Sequence, residues 1–145
     1  MNILYGIQGT GNGHITRSRL LIPSLRKKGF NVDVLLSGRK KDEYWDMECF
    51  RPYDTKFGIT FQVANGTVNK WKTIKKLKLK QFWTDLKSID SKSYDIIITD
   101  YEPISAWAAK KNGILSIGIG HLYSFLYNVP MPVSYTHLTL PTSYP

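Results

Sequence analysis

Three short loops of this sequence combine glycines with histidine or carboxylate side chains. Residues 8–14 read QGTGNGH, residues 100–103 read DYEP and residues 118–121 read GIGH. Each loop follows a short apolar run that is typical of a buried strand in a parallel sheet. Because parallel strands point their carboxyl ends at one edge of the sheet, where ligands bind, we predict that the three loops meet in one crevice.

The first loop has the composition of a ligand-binding turn. Its glycines let a ligand approach the backbone without meeting a Cβ atom, and they permit positive φ angles. The helix predicted to follow presents free N–H groups and a positive dipole end, which suit a phosphate or a developing anion. We predict substrate contacts for five consecutive residues: Gly9, Thr10, Gly11, Asn12 and Gly13. The alternative is a flexible turn between strand and helix.

Two common nucleotide motifs do not fit this loop. A P-loop requires a lysine after its last glycine, and none follows Gly13. A dinucleotide-binding fingerprint has a third glycine where this chain has His14, and residues 37–39 at the end of the second strand read SGR, without an acid. An NADP-binding oxidoreductase domain, with Arg39 at the 2′-phosphate, stays as an alternative.

Strand and helix patterns alternate along the chain, which predicts a doubly wound α/β domain of the Rossmann-like class. We predict strands at residues 3–7, 31–36, 94–99 and 114–119 and a hairpin within 58–68 around Asn65 and Gly66. Helices are predicted at residues 14–28, with a kink or a lost hydrogen bond at Pro23, and at residues 42–50, 70–91 and 103–112.

Composition restricts the class of protein. The formal net charge of +9 favours anionic partners such as nucleotides, phospholipid surfaces or nucleic acid, although a solvated lysine-rich surface would give the same value. No apolar run of about 18 residues is present, and the N-terminus lacks the basic region of a secretory signal. With Cys49 as the single cysteine, no disulfide framework can form. These features predict a cytoplasmic protein.

The opening of the chain resembles that of the GT-B glycosyltransferases. The resemblance rests on residues 3–17, ILYGIQGTGNGHITR, and is greatest to the MurG-like and glucuronosyltransferase-like group and to a microbial family with the same loop. Residues 100–103 and 120–127 resemble that family too, and the resemblance extends to about residue 132. Leu122 departs from the polar residue expected after His121.

This resemblance implies two Rossmann-like domains that face a cleft. The N-terminal domain, here residues 1–132, would hold the acceptor, and a C-terminal domain would hold most of a nucleotide-sugar donor, such as a UDP-sugar. The implied reaction moves a hexosyl group to a hydroxyl acceptor without a metal ion or another cofactor. We therefore expect this chain to be an incomplete, inactive portion of such an enzyme.

In such a transfer a general base takes the proton of the acceptor hydroxyl. His14 is the first candidate, because the positive end of a helix favours the neutral imidazole, and Asp100 is expected to orient the ring. Glu102 is the alternative base. Arg17 is expected to contact phosphate or a surface acid, and His121 to contact substrate. The alternatives are capping roles for His14 and Asp100.

The predicted helix at residues 70–91 raises the question of membrane contact. The MurG-like resemblance implies a lipid-linked acceptor, and Trp71, Phe82 and Trp83 beside many lysines would suit an anionic bilayer. A helix packed on the core with a solvated lysine face has the same pattern. A nucleic-acid-binding module without chemistry is a further alternative, although no RNA- or DNA-binding motif is present and we expect no such partner.

The C-terminal segment, residues 133–145, does not share these patterns. It has no helical period, is rich in threonine and proline, and resembles translated adaptor sequence. We expect it to be non-native and give His137 no functional role. A natural terminal tail is the alternative.

Overall fold

Five parallel strands form the central sheet of this protein. The computed structural model describes residues 1–58, 63–64, 67–68, 79–120 and 123. Its elements, in chain order, are β1 Asn2–Gln8, α1 Asn12–Lys27, β2 Asn31–Ser37, β3 Tyr53–Lys56, β4 Val63–Ala64, β5 Thr67–Val68, α2 Leu79–Lys87, β6 Ile96–Asp100, α3 Pro103–Asn112 and β7 Leu115–Gly118. The strand order is β3-β2-β1-β6-β7, and every neighbouring pair is parallel.

Two apolar layers cover the two faces of this sheet. Alternate residues of β1, Ile3, Tyr5 and Ile7, pack under α1, whereas Leu4 packs on the other face under α2 and α3. Helices on both faces of a parallel sheet define a doubly wound α/β fold, so the predicted fold class is confirmed. Each fully buried apolar side chain of these layers contributes about 1.5–3 kcal/mol.

The register of the strands brings their carboxyl ends together. Ile7 at the end of β1 pairs with Asp100 at the end of β6, and Thr99 pairs with Gly118 of β7. The loops after β1 and β6 therefore leave the sheet side by side, as predicted. In the third loop, His121 lies outside the described residues.

Helix α1 begins and ends close to the predicted positions. Ile15, Ser18 and Ile22 form its buried face, and Pro23 within the helix has no N–H to donate. The helix ends in a Schellman motif, in which the N–H of Gly29, at a φ of 86°, donates to the Arg26 carbonyl at 2.9 Å. The predicted C-terminal end of this helix is therefore confirmed.

The predicted helix at residues 42–50 is wrong. Two short 3₁₀ turns, Lys41–Glu43 and Glu48–Phe50, occupy this segment, and between them Asp46 has a φ of 55°, which no α-helix contains. The buried residues Tyr44, Met47 and Phe50 are three apart, a spacing that suits a period of three as well as 3.6. The following strand β3, at the sheet edge, was not predicted.

The lysine-rich helix is described in part. Helix α2 spans Leu79–Lys87 and ends before the predicted residue 91, where a 3₁₀ turn, Ser91–Ser93, follows. Phe82 is 6% exposed and packs in the core, which agrees with the core-packed interpretation of this helix and not with membrane contact by Phe82. Residues 70–78, including Trp71, lie outside the described residues.

The predicted hairpin and the helix after the second loop are both confirmed. Strands β4 and β5 pair antiparallel, with Val63 opposite Val68. Residues 65 and 66 themselves lie outside the described ranges. Helix α3 begins at Pro103, and Gly113 at a φ of 64° ends it.

Gly6 allows helix α3 to lie close to β1, and a substitution tests this contact. A Cβ atom at Gly6 would lie 2.7 Å from the Ser105 Cβ, well inside van der Waals contact. We expect Gly6→Ala to lower the free energy of unfolding by about 1–3 kcal/mol, measured by urea denaturation. Gly11→Ala is the matched control, because Gly11 has an extended backbone and no neighbouring atom within 4 Å of the added Cβ. Equal stability of the two variants would contradict this account of Gly6.

Candidate active site

A histidine of α1 and an aspartate of β6 meet at the carboxyl edge of the sheet. His14 Nδ1 lies 2.6 Å from Asp100 Oδ1, although the two residues are 86 positions apart in the chain. The Asp100 side chain is completely buried, whereas the His14 side chain is 27% exposed. The pair therefore joins a shielded carboxylate to an imidazole that solvent or a ligand can reach.

Arg17, one helical turn after His14, completes the surroundings of the carboxylate. Its Nε donates to Asp100 Oδ2 at 2.6 Å, and its Nη2 donates to Oδ1. This bonding to Asp100 raises the pKa of the Arg17 guanidinium, which stays charged. A carboxylate without solvent needs such partners, because a buried charge is costly when it is unpaired.

The contact with Asp100 favours one tautomer of His14. An ionised carboxylate only accepts hydrogen bonds, so a nitrogen 2.6 Å from Asp100 Oδ1 must carry a proton. We therefore assign the proton to Nδ1. Arg17 Nη2 lies 2.7 Å from this nitrogen, and both nitrogens are within hydrogen-bond distance of Asp100 Oδ1. The other ring nitrogen, Nε2, makes no hydrogen bond to a described residue, and its lone pair is available to accept a proton.

Glu102 has a different environment from Asp100. It is completely buried and forms the N-cap of α3, where its two carboxylate oxygens accept the N–H groups of Ile104 at 2.9 Å and Ser105 at 2.6 Å. Burial raises the pKa of this carboxyl, and the hydrogen bonds from Ser105 and Ile104 oppose that rise. The structure thus gives Glu102 a capping role and encloses the carboxylate.

The glycines of the first loop serve two purposes. Gly6 and Gly9 are required by packing, since a Cβ at Gly9 would lie 2.7 Å from the Tyr44 ring. Gly11 and Gly13 are exposed, do not have positive φ, and have no atom within 4 Å of the place that a Cβ would occupy. The fold does not require glycine at these two positions, which leaves space for a ligand to approach the backbone.

The other predicted residues of the first loop are Thr10, Asn12 and Gly9. Thr10 and Asn12 are exposed, and their oxygen atoms accept hydrogen bonds from Arg39 Nη2, at 2.8 Å to the Thr10 carbonyl and 3.1 Å to Asn12 Oδ1. Gly9 is buried, and its N–H donates to the Ser37 carbonyl at 2.7 Å. These bonds fix the two ends of the loop and leave its centre open.

Tyr101 is a feature of the site that the sequence did not indicate. Its φ of 61° is in the left-handed region, which is uncommon for a residue with a side chain and often marks a functional position. Its ring lies 5.7 Å from the His14 ring and 6.3 Å from the Tyr123 ring, measured between centroids. Gly120 permits this stacking, because a Cβ there would lie 3.1 Å from the Tyr101 ring.

An aromatic cavity of about 300 Å³ lies next to this stack, and Tyr101, Trp107 and Tyr123 form part of its wall. Pockets of this size and aromatic character bind small organic ligands. Only the position of Tyr101 beside Asp100 in the second loop could have drawn attention to it from the sequence.

The sequence comparison identifies the family. The profile of glycosyl transferase family 1 matches residues 1–130, so the chain belongs to that family. No protein of curated function matches the chain.

Solved structures show the same fold. MurG from Acinetobacter baumannii is 16% identical, with a TM-score of 0.53 over 86% of this chain. The chain spans 38% of the MurG chain, well under half its length. The C-terminal domain of a hydrogenase from Pyrococcus furiosus is 10% identical, with a TM-score of 0.51 over 81% of this chain and 89% of that chain. The likeness to MurG confirms the predicted fold, a Rossmann-like sheet as in the N-terminal half of the GT-B glycosyltransferases.

The variant Asp100→Asn tests both the assigned tautomer and the burial of Asp100. The neutral amide cannot accept all the donors of His14 and Arg17, so we expect the free energy of unfolding to fall by about 1–3 kcal/mol. Nitrogen-15 NMR of the imidazole should show the proton on Nδ1 in the wild-type protein and a changed tautomer balance in the variant. Asp46→Asn is the control, because Asp46 is 63% exposed and its pair with Arg19 spans 3.5 Å. A wild-type ring with its proton on Nε2 would refute the assignment.

Proposed function

We propose that this chain forms the acceptor side of a glycosyltransferase that moves a hexosyl group from a nucleoside-diphosphate sugar, such as a UDP-sugar, to a hydroxyl acceptor. Membership in glycosyl transferase family 1 favours this function over an NADP-dependent oxidoreductase or a nucleic-acid-binding module. The observation that carries the proposal is the 2.6 Å contact of His14 with buried Asp100 beside the exposed glycine loop.

In the proposed reaction His14 Nε2 acts as the general base. It removes the acceptor hydroxyl proton while the acceptor oxygen bonds to the anomeric carbon and the bond from that carbon to the diphosphate breaks. The imidazolium that forms is stabilised by Asp100, which accepts the Nδ1 proton as a hydrogen bond throughout and stays ionised. We prefer His14 to Glu102, because the Glu102 carboxylate is enclosed beneath α3.

The glycine loop would serve the substrates on the same edge. Helix α1 begins at Asn12 without a side-chain cap and has no acidic residue in its first turn. Its free N–H groups and positive dipole end would therefore stabilise negative charge near Gly11 and Gly13. The central sheet is the one Rossmann-like sheet within the described residues. We propose that a second domain holds the donor, and that residues 1–132 do not catalyse the transfer without it.

The general-base role is tested with the full-length enzyme. His14→Ala should lower turnover by about two to four orders of magnitude, since a positioned base contributes that much. Added imidazole should restore part of the lost activity if the ring acts chemically. Turnover is measured by release of the nucleoside diphosphate.

Two further variants make this test specific. Leu20→Ala, an exposed position on the same helix, should retain wild-type turnover. Glu102→Gln tests the alternative base, provided that circular dichroism shows the variant to be folded. Near-normal turnover in His14→Ala would reject His14 as the base.

We also propose that the enzyme acts in the cytoplasm on a lipid-linked acceptor at an anionic membrane surface. Trp83 of α2 and Trp107 of α3 are 47% and 46% exposed, with ring centroids 6.2 Å apart. Lys110 Nζ lies 5.6 Å from the Trp107 ring, and Lys80, three residues before Trp83, is exposed. Indole rings flanked by lysines suit the interface of an anionic bilayer. Within the described ranges no helix has the length and apolar character to cross a membrane.

Vesicle binding tests this surface. Removing both rings with Trp83→Ala and Trp107→Ala should weaken binding to vesicles with anionic lipid by about tenfold or more, because each exposed ring offers on the order of 100 Å² of apolar surface. Sedimentation with neutral and anionic vesicles gives the partition coefficients. Leu20→Ala is the control, since Leu20 is 76% exposed but lies on α1. Unchanged partitioning of the double variant would exclude this surface.

A further inference from the structure

A second polar cavity lies on the flank of α1 that faces away from His14. It has a volume of about 170 Å³, and Asn12 and Arg19 of α1, Arg39 of the loop after β2, and Tyr44 and Trp45 line it. At 100° per residue, Asn12 and Arg19 share one side of the helix, whereas His14 and Arg17 share the opposite side. The cavity is therefore separated from the proposed base by the width of α1.

Arg39 brings a positive charge to this cavity. Its Nη2 donates only to neutral oxygens, the Thr10 carbonyl at 2.8 Å and Asn12 Oδ1 at 3.1 Å. Among the described residues no carboxylate lies within ion-pair distance of Arg39. Its charge is thus held in place by the glycine loop but is not neutralised there.

Arg19 brings a second guanidinium. It lies over the Trp45 ring, 5.1 Å from the centroid, and its Nη2 donates to the carbonyls of Trp45 and Asp46 at 3.1 and 3.2 Å. Its Nε is buried and has no hydrogen-bond partner within the described part of the chain. A buried donor without a partner is rare in folded proteins, and here it leaves one hydrogen-bond donor of Arg19 unused.

The other groups around the cavity supply little negative charge. Burial raises the pKa of Tyr44 to about 12, so this phenol is neutral at physiological pH. Asp46 lies 3.5 Å from Arg19 Nη2 but is 63% exposed, which makes their ion pair weak. Two guanidiniums around a small cavity are left with an unmatched positive charge.

We propose that this cavity binds the phosphate group of a phosphate ester, separately from the sugar-transfer chemistry at His14. The planar guanidinium donors of Arg19 and Arg39 match the oxygens of a phosphate. The volume lies below the range of pockets that enclose drug-sized ligands, so it suits a charged group better than a whole sugar nucleotide. The ester would be either a soluble metabolite or a lipid headgroup.

Binding of inorganic phosphate to the protein tests the proposal. Isothermal titration is performed at constant ionic strength, with chloride replacing phosphate in the reference. Arg39→Gln and Arg19→Gln should each weaken phosphate binding by about tenfold or more, because each removes charged donors. Lys40→Gln is the matched control, since it removes an equal charge from the exposed residue next to Arg39. Arg39→Lys should be intermediate, because it keeps the charge but loses the planar donor group.

A second titration separates the two sources of the phosphate. Vesicles of phosphatidylcholine with phosphatidate are compared with vesicles of phosphatidylcholine alone. Vesicle binding that depends on phosphatidate and is lost in Arg39→Gln would identify a lipid headgroup, whereas binding of inorganic phosphate alone would identify a soluble ester. The proposal is overturned if inorganic phosphate does not bind. It is equally overturned if Lys40→Gln weakens binding as much as Arg39→Gln, because the interaction would then be diffuse surface charge.

Discussion

The carboxylate of Asp100 is completely buried at the end of β6, and this charge determines how the neighbouring elements are placed. Its two oxygens accept hydrogen bonds from the His14 ring and the Arg17 guanidinium, which lie one turn apart on α1. These bonds attach the first turns of the helix to a strand that is distant in the chain but lies beside β1 in the sheet. Without them a negative charge would be left in a region of low polarity, at a large cost in free energy.

Helix α1 therefore has three different faces in its first three turns. One face, with Ile15, Ser18 and Ile22, is buried on the sheet. On one side of it His14 and Arg17 reach β6, and on the other side Arg19 stacks on Trp45. A single rigid element thus fixes the positions of the imidazole and of Arg19, whereas Arg39, Tyr44 and Trp45 on the other side of the cavity belong to the segment between β2 and β3.

Much of the fold could be predicted because its signals are local. The strands with apolar runs, helix α3 between Pro103 and Gly113, and the exit of α1 at Gly29 follow from short-range patterns. The meeting of His14 and Asp100 followed from one general property of parallel sheets, the common edge of the strand ends.

Other features depend on distant neighbours and could not be predicted in this way. Gly6 is required by Ser105 and Gly9 by Tyr44, and neither partner is close in sequence. Strand β3 has no apolar run, since its four residues lie at the sheet edge and none is fully buried. The left-handed conformation of Asp46 is incompatible with the predicted helix, and only the surrounding turns determine that conformation.

The distance in sequence between His14 and Asp100 has a consequence for the order in which the molecule assembles. Strands β1, β2 and β3 with helix α1 make their mutual contacts within the first 56 residues of the chain. The pairing of β1 with β6 closes a much longer loop, which costs more entropy and slows its formation. The imidazole therefore meets its carboxylate only when β6 has joined β1 in the sheet. A nascent or partly unfolded chain already displays the histidine but does not yet hold it in one orientation, so chemical competence is acquired only with the complete sheet.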